Sequence, residues 1–177
     1  MKNLIISFDS YSWIRNCSGI IYRNSVDFEI LLIAKDDTRP IHNCDFLCEK
    51  AILEQRRFDV FKIGKYLGIK KLSNLMLNAD DINIEILTAK LQLLFMISGV
   101  KVVYCQNVEL LTDIVKEISK ITNTTLYLYN CDTVNVTVFL DQNEIKTKCN
   151  ALKMITGHNS PNERFVKPID SEGFCEC

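Results

Sequence analysis

Asp9-Ser10-Tyr11-Ser12 is the stretch of this chain whose residue types and setting point most directly to chemistry. It follows the apolar run Leu4-Ile5-Ile6-Ser7-Phe8 and leads into Ile14, Cys17, Ile20 and Ile21 at helical spacing. Strand, short polar loop, helix is where an open α/β sheet places its site. One carboxylate and three hydroxyls suit a polar ligand, for example one presenting sugar hydroxyls. Asp9 has two readings of equal weight: it contacts that ligand, or it caps the helix that follows.

Further groups converge on the same place if the strands are neighbours. Asp36, Asp37 and Arg39 follow the next apolar run, although a solvated polar loop accounts for them better. Arg56 and Arg57 match anion geometry, while the plainer account is one Arg facing water and the other pairing with an acid such as Asp59. Asn107 follows a later apolar run and is a further candidate for ligand contact. His158 sits in Gly157-His158-Asn159-Ser160-Pro161 and either reaches the crevice as an acid or electrophile or is a turn residue with a satisfied ring. Asp9, Asp37 and His158 are the candidate catalytic groups. Asp9, Ser10, Tyr11, Ser12, Asp36, Arg39, Arg56, Asn107 and His158 are the candidate ligand contacts.

Eight cysteines are spread through the chain. His42, Cys44 and Cys48 resemble half of a thiolate–imidazole metal site, and Cys175 and Cys177 offer another half. That spacing is not one of the standard structural zinc patterns. Reduced thiols are the better reading, because a disulfide framework belongs to shorter secreted chains with a leader segment.

The elements that must position these residues alternate in type. Strands are predicted over about 3–8, 28–34, 72–77, 100–105, 124–129 and 134–140, and helices over about 13–24, 45–67, 82–98, 107–121 and 141–156. Phe28–Ala34 is almost continuously apolar, as a strand covered on both faces should be. Gly68 and Gly99 read as helix stops, and Asp141 as an N-cap. Residues 157–177 read as an irregular tail. The alternation predicts one α/β domain over 1–177, a three-layer α/β/α sandwich of Rossmann-like type with a mostly parallel sheet. The six glycines form no GxGxxG cluster, which argues against dinucleotide binding by that route.

Composition narrows the class. With 47% hydrophobic and 24% charged residues and a net charge of −1, the chain reads as a globular protein without a field for nucleic acid or anionic lipid. No apolar run reaches the ~20 residues that span a bilayer, so the expected location is the cytoplasm, with no membrane and no nucleic-acid partner. High Ile, Asn and Lys content points to an AT-rich genome such as a phage's or a parasite's.

The order of these motifs resembles that of the PIG-L (LmbE-like) N-acetylglucosaminyl de-N-acetylases. Leu4-Ile5-Ile6-Ser7 and Cys17-Ser18-Gly19-Ile20 frame the first loop as in that family. Ile33-Ala34-Lys35-Asp36-Asp37, then Arg56-Arg57-Phe58-Asp59 leading to Leu67-Gly68, follow in the family's order. Lys148-Cys149-Asn150-Ala151-Leu152, followed by His158-Asn159-Ser160, is similar to its closing helix and histidine motif. The resemblance implies a zinc held by a loop His, a loop Asp and a distal His, with a second loop Asp as base. Carried over, the loop His is Asp9, the base is Tyr11 and the ligand Asp is Ser12; Tyr104-Cys105-Gln106-Asn107-Val108 has no His for the distal position.

These departures imply a degenerate deacetylase-like protein that needs no cofactor and binds a sugar- or nucleotide-like ligand or a protein partner without zinc hydrolysis. The alternatives are a working zinc-dependent N-deacetylase with a site rebuilt from Asp9, Asp36, Asp37 and His158, and an interaction module whose crevice is vestigial.

Overall fold

Strands and helices alternate through this computed structural model, which describes residues 2–24, 27–35, 49–78, 81–155 and 170–177. In chain order they are β1 (Asn3–Ser7), α1 (Ser12–Arg23), β2 (Phe28–Ala34), α2 (Glu49–Tyr66), β3 (Lys71–Leu77) and α3 (Ile84–Ser98). There follow β4 (Val102–Gln106), α4 (Glu109–Thr122), β5 (Thr125–Tyr129), β6 (Val136–Phe139), α5 (Gln142–Lys153) and β7 (Ser171–Glu176). The start of the helix predicted from 45 lies outside the described residues.

All the strands join one sheet in the order β3-β2-β1-β4-β5-β7-β6. β1 to β5 run parallel, in registers such as Ile5↔Ile30 and Ile5↔Tyr104. β1 and β2 are apolar on both faces because each face meets a helix layer. Ile5, Ile30 and Leu32 pack with Trp13, Ile63 and Leu152 from α1, α2 and α5. Leu4, Ile6, Leu31 and Ile33 pack with Leu91, Phe95 and Ile114 from α3 and α4. Each of these buried aliphatic side chains is worth about 1.5–3 kcal/mol. The mostly parallel α/β fold predicted from the alternation is the one observed.

The helix ends follow the local signals. Asn83 caps α3 by accepting the Ile86 N–H at 3.0 Å, and Gly99 closes it at φ 63°, a left-handed turn that costs glycine nothing. Asp141 and Glu144 form a reciprocal capping box at α5.

One expectation is overturned. Residues 171–176, read as part of an irregular tail, form β7, which is antiparallel to both neighbours and lies between β5 and β6. Ser171-Glu172-Gly173-Phe174 hides its alternation because the inward positions are a carboxylate and a phenyl ring, buried to 2% and 1% exposure. A strand that turns a charge inward has no apolar signature. Among the described residues no helix is long and apolar enough to cross a membrane.

Candidate functional site

From β1 the chain steps outward through β2 and β3, then returns to the other side of β1 as β4. The loops leaving β1 and β4 therefore part, and an open α/β sheet has its crevice there. Ser7 ends β1 and Gln106 ends β4, so these residues form the floor between the two loops.

Gln106 holds that floor together. It is 6% exposed, and its Oε1 accepts from Phe8 N at 2.8 Å, Ser7 Oγ at 3.1 Å and, more weakly, Asp9 N at 3.4 Å. Its Nε2 donates to Asp9 Oδ2 at 2.9 Å. The Ser7 hydroxyl, fully buried, shares its one proton between Gln106 Oε1 and the closer Asp9 O at 2.7 Å.

Asp9 is committed in the same way. Oδ1 accepts the backbone N–H of Tyr11 at 2.9 Å and of Ser12 at 2.8 Å. Oδ2 accepts Ser12 Oγ at 2.5 Å and Gln106 Nε2 at 2.9 Å. A carboxylate offers about four lone-pair sites, and donors of this chain occupy all of them. Of the two readings for Asp9, the geometry fills the local one: from two residues before the N-cap Tyr11 it accepts the N–H groups of Tyr11 and of Ser12, the first residue of α1, which have no partner within the helix.

Tyr11 and α2 build the adjoining wall. The Tyr11 hydroxyl donates to Asp59 Oδ2 at 3.4 Å, and Asp59, 1% exposed, also receives Gln55 Nε2 at 2.9 Å on Oδ1. The Arg56 guanidinium lies 6.0 Å from the Tyr11 ring centroid, a cation–π distance. Arg57 faces water, as expected of one of two adjacent arginines. Ser10 is buried beside the loop.

Thus Asp9, Ser10, Tyr11, Ser12 and Arg56 come together. Asn107 sits next to them but is exposed, and its Oδ1 accepts from Thr112 Oγ1 at 3.3 Å. The amide inside the site is its neighbour Gln106. Gln106 and Ser7 were not among the expected contacts, and Asp59 was expected only as the partner of an Arg. The one available signal was an amide at the end of an otherwise apolar strand, Val102-Val103-Tyr104-Cys105-Gln106. Asp36, Asp37, Arg39, His42, Cys44, Cys48 and His158 lie outside the described residues.

The zinc implied by the resemblance does not fit the described part of this loop. Asp9 has no lone pair left to give, and Tyr11 and Ser12 are neutral oxygens whose protons stay on near neutral pH. Among the described residues no three His, Cys, Asp or Glu side chains converge. Cys177 donates its N–H to Leu126 O near the start of β5, at the strand end away from the site, and burial pushes its thiol up. Cys105 is fully buried, and burial pushes its thiol far up too, so it packs as a small hydrophobe.

No family model and no curated protein matches this sequence. Solved structures do match in shape. The N,N'-diacetylchitobiose deacetylase of Pyrococcus horikoshii superposes with a TM-score of 0.80 at 13% identity, over 99% of this chain and 83% of that one. A deacetylase of the teicoplanin biosynthetic pathway gives 0.74 at 9%, over 100% and 99%. GalB of Pseudomonas putida, a 4-carboxy-2-hydroxymuconate hydratase, gives 0.72 at 12%, over 99% and 96%. One scaffold therefore carries both deacetylases and a hydratase, and function must be argued from the site. The chain has the fold of the PIG-L-type deacetylases.

Proposed function

We propose that this protein binds a hydroxyl-rich ligand, sugar- or nucleotide-like, in the crevice between the β1 and β4 loops and does not hydrolyse it. The observation that carries the reading is Asp9: at the position where the resemblance places a zinc-binding His, it spends every lone pair on its own chain. What surrounds it among the described residues is hydroxyl and amide, with the Arg56 guanidinium beside Tyr11 and the Asp59 carboxylate already taken by Tyr11 and Gln55. Such groups bind by hydrogen bonding and supply no metal-activated water.

The test is elemental analysis of purified protein together with an acetate-release assay on N-acetylglucosamine substrates, with and without EDTA. The expected result is far less than one zinc per chain, no acetate, and a melting temperature that EDTA leaves alone. A resident metal at a hundred times its Kd would add about 2.7 kcal/mol, so its removal would lower the melting temperature by several degrees. Stoichiometric zinc with EDTA-sensitive acetate release would sink the proposal.

A further inference from the structure

α3 carries apolar side chains on the side that faces the core and a second apolar stripe on the side that faces water. Leu87, Leu91 and Phe95 are buried at 1%, 0% and 3% exposure. On the opposite side Ile86, Leu93, Met96 and Ile97 are exposed at 51%, 58%, 75% and 76%, with Glu85 and Lys90 exposed beside them. α4, in the same layer, turns Glu109, Asp113, Glu117 and Lys120 outward. A contiguous exposed apolar stripe marks an interaction site. A cavity of about 290 Å³ between α3 and β2–β3 is lined by Leu31, Leu75, Leu93 and Leu94, with the charged Glu29 and Lys90 also in its wall.

We propose that this face of α3 pairs with the same face of a second copy of the chain, antiparallel across a two-fold axis beside Leu91. Register and area both favour this occupant. Ile86, Ala89, Leu93 and Met96 are exposed and spaced three, four and three residues apart, the a/d pattern of a helix seam. A single axis sets Ile86 against Met96 of the second copy and Ala89 against its Leu93, so a large side chain meets the small one. By symmetry each contact forms twice. The exposed side chains of this face leave roughly 500 Å² per chain in water, within the range of a monomer's largest patch. Two copies would bury about 1,000 Å², the least a specific interface is expected to clear.

The experiment is analytical ultracentrifugation of the full chain in reducing buffer, up to about 100 µM. Wild type sediments as a dimer. Leu93→Glu puts a carboxylate against Ala89 and raises the dimer Kd by about thirtyfold or more. Ile97→Lys, at the most exposed site of the face, is the second variant. Both keep the wild-type circular dichroism, because neither side chain packs in the core. Ala89→Lys alone also weakens the dimer, and mixing it with Leu93→Glu restores a heterodimer through the new Glu–Lys layer. A wild type that stays monomeric, leaving the face to another partner, overturns the proposal. So does a Leu93→Glu variant that dimerises as well as wild type, or a mixture that fails to associate.

Discussion

Asp9 and Gln106 act as one unit, because each supplies the other with a hydrogen bond while both hold the loop after β1. Asp9→Ala is expected to cost about 1–2 kcal/mol in urea unfolding, because it leaves the N–H groups of Tyr11 and Ser12 without their acceptor. Gln106→Ala leaves the half-buried Phe8 N–H without its acceptor and is expected to cost about 1–3 kcal/mol. Their sum should exceed the cost of the double variant, since the contact between them is lost in either single; strict additivity would show that they act separately. Asp9 was readable as a possible cap from its place before a helical pattern. Gln106 was not, since its partners are 97 to 99 residues away in sequence.

At the scale of elements, α1, α5 and β7 are locked by buried charge. Glu172 of β7 accepts the N–H of Gly19 at 2.9 Å and of Ile20 at 3.0 Å, and Lys148 of α5 lies 3.1 Å from the same carboxylate. The approach depends on Gly19: a Cβ there would stand 2.6 Å from Leu140 and 3.1 Å from Glu172 Oε1. Burial pushes the Glu172 carboxyl up, against the pull of Lys148 and the two N–H groups. Lys148→Met leaves that carboxylate buried without its cation and is expected to cost about 3–5 kcal/mol in a denaturant titration. Gly19→Ala should also destabilise, since the carboxylate and Leu140 must both give way.

A second lock joins α1 to α5. The Arg23 fork meets Glu144 at 2.6 and 2.8 Å, and this hydrogen bonding holds the Glu144 carboxyl below its ordinary 4.5. A depressed carboxyl contributes stability that is present above pH 4.5 and lost as pH falls through its folded-state value. With the Arg23 side chain 44% exposed, solvent screening limits the effect to about 1 kcal/mol. Arg23→Gln is therefore expected to flatten the fall in unfolding free energy between neutral and acid pH by about that amount. An unchanged acid slope would mean that the pair contributes nothing.

For the whole molecule, the consequential strand is the last. Among the described residues β6 has β7 as its one neighbour in the sheet, so β6 reaches the parallel strands through residues 171–176. Ending the chain at Asp170 removes that link and strips Lys148 of its counter-ion. The truncated chain is expected to lose its cooperative unfolding transition by circular dichroism; a sharp transition near the wild-type midpoint would refute this.

By itself, the sequence determined the parts of the fold written in short-range pattern. Apolar runs such as Phe28–Ala34 declare strands buried on both faces, helical spacing declares α1 and α4, and Gly68, Gly99 and Asp141 mark helix ends, because each signal lies within a few residues of its effect. The alternation of these elements was enough for a mostly parallel sheet. Only tertiary structure decided which polar atoms meet. Asp9 is held in the loop because Gln106 arrives from β4, and Glu172 can be buried because Gly19 and Lys148 arrive from two helices. Hydrogen bonds between distant residues leave no periodic trace, since any one position carries half of the pair.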